Sequence, residues 1–141
     1  MNELVFDGGC LCGAVRYRAI GELLSSSVCH CRSCRRASGA PSVAWFVVRN
    51  TQFTVVSGQV SSFRSSPPAL RSFCGQCGTP LTYQHDDNPG TVDITTATLD
   101  DPELVPPTHE IWLSHRISWA ASDPEVEHCP RGSGEGRDIA D

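Results

Sequence analysis

Seven of the eight cysteines in this 141-residue chain stand in three tight groups, and those groups constrain the fold more than any other feature. They are Cys10-Leu11-Cys12-Gly13, Cys29-His30-Cys31-Arg32-Ser33-Cys34 and Cys74-Gly75-Gln76-Cys77-Gly78, with Cys129 alone near the end. Clustered thiols hold a small chain together through disulfides or through metal, and the redox setting discriminates between the two. The opening MNELVFDGGC has no basic region followed by a long apolar run, so no secretory signal is expected. No stretch approaches the roughly 18 apolar residues that a membrane span requires. The expectation is a cytoplasmic chain whose clustered cysteines stay reduced and bind metal. Disulfides, a thioredoxin-like redox role for Cys74 and Cys77, and an iron–sulfur centre are the competing readings.

Apolar burial alone is a thin basis for stability here. Hydrophobic residues make up 39% of the chain and aromatics 7%, so the core is modest and metal would supplement it. The length fits one domain, read as residues 1–129, with a tail over 130–141 that is rich in Gly and charge and expected to lack structure. The formal net charge of −5 argues against non-specific binding to nucleic acid. Arginine carries every fixed side-chain positive charge, since the chain has no lysine.

The pattern along the chain is mostly β. Val5 to Tyr17 reads as a hairpin turning at Gly8 and Gly9, and residues 42–49, SVAWFVVR, as a buried strand. Segments beginning at Gln52 and Gln59 alternate as half-buried strands joined at Gly58. A turn is expected over Ser65 to Pro68, and strands flank the knuckle at Cys74. Thr91 to Thr98 and His109 to His115 read as two more strands, the second of them the last, with one helical turn around Pro102. The one short helix is expected over Arg32 to Ser38.

Spacing pairs the cysteine groups. A C-x-x-C-G knuckle turns two sulfurs toward one point, and glycine permits the backbone conformation and close approach this needs. Two thiolates leave a tetrahedral zinc site half filled. Cys10 and Cys12 supply the other pair, because residues i and i+2 of an extended segment share a face. Cys10, Cys12, Cys74 and Cys77 thus make a closed structural zinc site. Cys29, Cys31 and Cys34 make a second site of three ligands with an open position, the pattern of a catalytic zinc, which gives two ions per chain. His30 points away and is read as a structural histidine, and Cys129 as an uninvolved thiol. Arg32, Arg35 and Arg36 are read as solvated, as offsetting thiolate charge, or as binding a substrate carboxylate.

GGCLCGAVRY at Gly8, CHCRSCRRASGAP at Cys29 and FCGQCGTPL at Phe73 resemble, in order and spacing, the motifs of the glutathione-dependent formaldehyde-activating enzymes, also called the centromere protein V family. ITTATLDDP at Ile94, PPTHEIW at Pro106 and the Ser118–Trp119 pair resemble its C-terminal pattern. The resemblance implies an Mss4-like fold of coiled, mostly antiparallel sheets carrying zinc. It implies the same two-site division, with Cys29, Cys31 and Cys34 at the catalytic-type zinc. It also implies a carbon–sulfur lyase activity joining formaldehyde to a small thiol partner, glutathione, whose carboxylates Arg32, Arg35 or Arg36 would bind. The chain is shorter than the founding enzymes. A non-catalytic protein-interaction module and a thiol or metal sensor are the alternative functions.

Overall fold

The computed structural model describes residues 4–132. Eleven strands form two sheets. The small sheet contains β1 (Val5–Gly9), β2 (Arg16–Ile20) and β5 (Phe53–Ser57), all antiparallel in the order β1-β2-β5. The large sheet contains β3 (Ser25–Cys29), β4 (Val43–Arg49), β6 (Val60–Ser66), β7 (Ala69–Cys74), β8 (Pro80–His85), β9 (Thr91–Thr95), β10 (His109–Ile111) and β11 (Glu127–His128). Its order is β11-β10-β3-β4-β9-β8-β7-β6. Only the pairings of β10, with β3 and with β11, are parallel. The helix α1 (Arg32–Ser38), the one α-helix among the described residues, has the bounds that the sequence predicts. No helix among the described residues is long and apolar enough to cross a membrane.

Strand alternation gives the large sheet two different faces. On β4, Phe46 and Val48 point one way and Trp45 the other, as the period of two demands. Phe46 and Val48 join Val92, Ile94 and Leu81 against Phe6, Val15, Tyr17 and Ala19 of the small-sheet side, making the main core. Trp45 faces away from it and packs with Cys29, Cys31, Cys34 and Trp112. The register of β7 and β8 slips at Ser72–Phe73, with Ser72 opposite Thr82 but Phe73 opposite Pro80. The extra residue, Leu81, lets both Leu81 and Thr82 line the space between the sheets, while Tyr83 packs toward the cysteine cluster.

Several expectations from the sequence are corrected. Gly8 and Gly9 lie inside β1 rather than in a turn. At Gly8 a side chain would collide with the Tyr17 ring and the Thr98 carbonyl oxygen, so glycine there permits close packing. The segments at Gln52 and Gln59 are strands, but β5 joins the small sheet and β6 the edge of the large one, and both are mostly exposed. The run from Thr91 leaves extended structure after Thr95, where Thr96–Thr98 form a 3-10 turn and the Thr98 hydroxyl bonds the Thr95 carbonyl. β10 stops at Ile111, because Trp112 adopts a left-handed backbone (φ 55°) and Leu113–His115 turn as 3-10 helix. β11 follows it, so β10 is not the last strand. Cys129, Pro130 and Arg131 are held to that turn by their carbonyls, which accept the N–H groups of Leu113, Ser114 and Trp112. The expected unstructured tail therefore begins too early, and its remainder lies outside the described residues.

A buried polar pair fixes the C-terminal segment to β3. His30, with 0% exposure, meets Glu110 through Nε2 and Oε1 at 2.6 Å. The other carboxylate oxygen accepts the Ser122 hydroxyl at 3.0 Å and the Asp123 N–H at 2.6 Å. Burial disfavours the charge on Glu110, but bonds from His30, Asp123 and Ser122 outweigh it and hold its carboxyl below the ordinary value. Removing the carboxylate charge with Glu110→Gln is expected to cost about 2 kcal/mol or more in urea unfolding at neutral pH. A lowered pKa stabilises fully above the ordinary carboxylate range and fades as pH falls through the lowered value. The gap between native protein and variant should therefore close in acid; a gap that widens there would contradict this account.

Candidate metal centres

Two knuckles of similar design meet at the first cluster. After β1 the chain turns through Cys10, Leu11 and Cys12, and the Gly13 N–H returns to the Cys10 carbonyl at 3.1 Å. After β7 it turns through Cys74 to Cys77, and the Gly78 N–H returns to the Cys74 carbonyl at 2.9 Å. Both closing glycines are left-handed, with φ of 82° and 83°, a conformation that penalises any residue with a Cβ. Cys10 and Cys12 thus converge through a turn, not by extended alternation as their spacing suggests.

The four sulfurs of Cys10, Cys12, Cys74 and Cys77 lie within 4.8 Å of one another. Cys10 to Cys12 is 3.6 Å and Cys12 to Cys74 is 3.8 Å. A tetrahedral ion with metal–sulfur bonds of about 2.3 Å has edges of ~3.8 Å, whereas a disulfide would bring sulfurs to about 2.05 Å. All eight cysteines are free. N–H groups point at the sulfurs: Val15 at Cys10 (3.2 Å), and Gln76 and Cys77 at Cys74 (3.3 and 3.4 Å). Thr79 ties the knuckles together, accepting the Leu11 N–H at 3.1 Å while its hydroxyl meets the Cys77 sulfur at 3.2 Å. Hydrogen bonds from Thr79 lower the Cys77 thiol to about 5, and the Val15 N–H lowers that of Cys10. The set fits a thiophilic tetrahedral ion such as zinc.

The second cluster lies on the opposite face of the large sheet. Cys29 ends β3, Cys31 precedes α1 in extended conformation, and Cys34 returns from the first helical turn. Cys31 caps the helix, its sulfur accepting the Cys34 N–H at 3.3 Å. The three sulfurs lie within 4.8 Å of one another, all are buried, and the group contains no fourth donor among the described residues. Three apposed thiols cannot all ionise unaided. Hydrogen bonds from Cys29 and Cys34 pull the Cys31 thiol down, while contacts with Cys31 and Cys34 push Cys29 up. A cation relieves that conflict, so this donor set also fits zinc.

The surroundings of the second cluster escaped the sequence. Trp45 and Trp112 pack on it, with Tyr83 partly buried beside them. Arg71 aims both terminal guanidinium nitrogens at the Cys34 sulfur, each at 3.8 Å. Its position three residues before Cys74 is visible in the sequence, but the face it occupies follows from β7 pairing. Arg32, Arg35 and Arg36 ride on α1 beside Cys34, with Arg32 and Arg36 exposed and Arg35 half-buried. Arg35 and Arg36 stand in the last helical turn, where a cation complements the helix dipole. His30 is outside both sulfur groups, as is Cys129.

Comparisons with known proteins bear on the same residues. A family model described as glutathione-dependent formaldehyde-activating enzyme matches residues 5–115, a span that includes both clusters. A Schizosaccharomyces pombe protein named as an uncharacterized lyase is 35% identical over 86 residues, which cover 60% of this chain and 62% of that relative. A Halomonas elongata protein, provisionally named a glutathione-dependent formaldehyde-activating enzyme, is 24% identical over 139 residues, covering 92% of this chain and 88% of that one. A crystal structure of a Rhodobacter sphaeroides protein superposes with a TM-score of 0.56 at 30% identity, covering 67% of this chain and 87% of that one.

Atomic emission on the purified chain should find two zinc ions. Cys12→Ser is expected to leave one and to lower thermal stability, because the first cluster joins the two sheets. Cys31→Ser is expected to leave one with a much smaller loss of stability. Equal losses from the two substitutions would contradict the first cluster's being the link between the sheets.

Proposed function

The chain belongs to the glutathione-dependent formaldehyde-activating enzyme family, and from that premise we propose that it is a zinc-dependent carbon–sulfur lyase-type enzyme acting on the adduct of a small thiol with an aldehyde. The observation that carries this reading is the contrast in donor number: four sulfurs in one cluster, three in the other. In this reading Cys10, Cys12, Cys74 and Cys77 hold a structural ion, and Cys29, Cys31 and Cys34 the working one. Cys29, Cys31 and Cys34 would hold the zinc, which would supply Lewis-acid chemistry, lowering the pKa of a thiol or polarising an aldehyde oxygen.

The protein's own residues prepare the reaction around that position. The end of β3, fixed by pairing with β4 and β10, sets Cys29, and the rigid turn into α1 sets Cys31 and Cys34. The His30–Glu110 pair anchors the residue between two of the sulfurs, which limits their freedom to drift. Trp45 and Trp112 cover one side with apolar surface and keep water from it. In this reading Arg32, Arg35 or Arg36, carried on α1 beside Cys34, would bind the carboxylates of glutathione. The same reading puts the protein in a reducing compartment such as the cytoplasm, where its cysteines stay out of disulfides.

Isotope exchange between labelled formaldehyde and S-hydroxymethylglutathione, followed by NMR, tests the proposal against the quick uncatalysed reaction. Native protein should accelerate exchange, and Cys31→Ala should return it to background. Equal rates for native protein and variant would sink the enzymatic reading.

A further inference from the structure

The second cluster has a charge problem that the first does not share. Four thiolates around a divalent ion leave two negative charges, and at the first cluster Cys12 is exposed, so water screens them. Three thiolates around a divalent ion leave one. Adding a thiolate substrate would restore two, now among sulfurs that are all buried and beside two tryptophans. Burial makes that excess charge costly unless a cation is fixed nearby.

Arg71 is that cation, and three contacts orient it. Its guanidinium lies 4.9 Å from the centroid of the Tyr83 ring, which leans on Trp45 with centroids 6.0 Å apart. Nε donates to the Ser65 hydroxyl at 3.0 Å. The terminal nitrogens are left facing the Cys34 sulfur, each at 3.8 Å. Strand geometry produces this placement, since Arg71 stands opposite Tyr83 in the ladder and both occupy the face that carries the cluster. At the first cluster the sulfurs are met by neutral donors, namely backbone N–H groups and the Thr79 hydroxyl.

We infer that Arg71 is a specificity-determining positioning residue, whose fixed charge lets the three-cysteine site accept a fourth, anionic sulfur ligand. It cancels the single excess charge of the resting site, so an incoming thiolate adds one negative charge to a neutral group. This inference deepens the proposed function and rests on it for the identity of the ligand, a small thiol.

Cobalt(II) in place of zinc makes ligand binding visible in the full chain through sulfur-to-cobalt charge-transfer absorption. Native protein, Arg71→Gln, Arg71→Lys and Arg18→Gln would each be titrated with glutathione and with thiocyanate, after confirming two cobalt ions per chain. Arg18 pairs with Asp7 outside the cluster, so Arg18→Gln removes the same charge at a neutral place. Arg71→Gln should weaken both ligands ~10-fold or more, the size expected of a nearby, partly screened unit charge. Arg71→Lys should recover most of the loss, and Arg18→Gln should match native protein. Thiocyanate that binds native protein and Arg71→Gln alike, or that fails to bind native protein, overturns the role of Arg71. Thiocyanate binding that depends on Arg71 while glutathione does not bind overturns the thiol reading and leaves the role of Arg71 standing.

Discussion

The convergence of four sulfurs from two turns remote in sequence is the constraint on which the rest of the structure depends. Cys10 and Cys12 lie in the connection between the first two strands of the small sheet, and Cys74 and Cys77 in a connection within the large sheet. A cation bridging those turns would tie the sheets at one end of a core whose hydrophobic content is modest. Cys10 and Cys74 are themselves members of that core, packed with Val15, Tyr17 and Leu81. Any metal held there would therefore bind atoms that also pack in the core. Losing the ion would leave buried thiolates in mutual repulsion as well as removing a crosslink.

With the sheets fixed, the period of two along each strand separates stability from chemistry. One face of the large sheet is filled by Phe46, Val48, Val92 and Ile94 and meets the small sheet. The other presents Trp45, Tyr83 and Arg71 to the three-cysteine cluster. The β-bulge at Leu81 reconciles these demands on β8, turning Leu81 and Thr82 inward while Tyr83 remains on the side of the three-cysteine cluster. The second cluster is not part of the main core and packs in a smaller one with Trp45 and Trp112.

Much of the architecture was legible because local chemistry dictated it. The helix over Arg32–Ser38 was bounded by a cysteine that can cap it and a glycine that ends it. The strand at Val43 was written in its β-branched and aromatic run, and the knuckle at Cys74 in its paired glycines. The errors arose where a local pattern was overruled from elsewhere. Gly8 looks like a turn residue, but Tyr17 and Thr98 require its missing side chain. The segments around Gly58 read as one hairpin, yet each found its partner in a different sheet. The β-branched run at Thr91 was broken by a hydroxyl bonding back to its own backbone, and the run from His109 to His115 by the left-handed backbone of Trp112.

Sequence by itself determined which atoms can bind metal and how they divide, since thiol identity and short-range spacing are written along the chain. It also determined the family, because motif order survives without coordinates. Only the tertiary structure decided what surrounds the three-cysteine cluster. Arg71 is 37 residues from Cys34 in the chain, and Glu110 is 80 from His30. Their approach depends on strand order and register, which arise from packing over the whole sheet rather than from any local segment. The arginines beside Cys34 were conspicuous in sequence, but the helix carries two of them into solvent while a distant strand aims its own arginine at the sulfur.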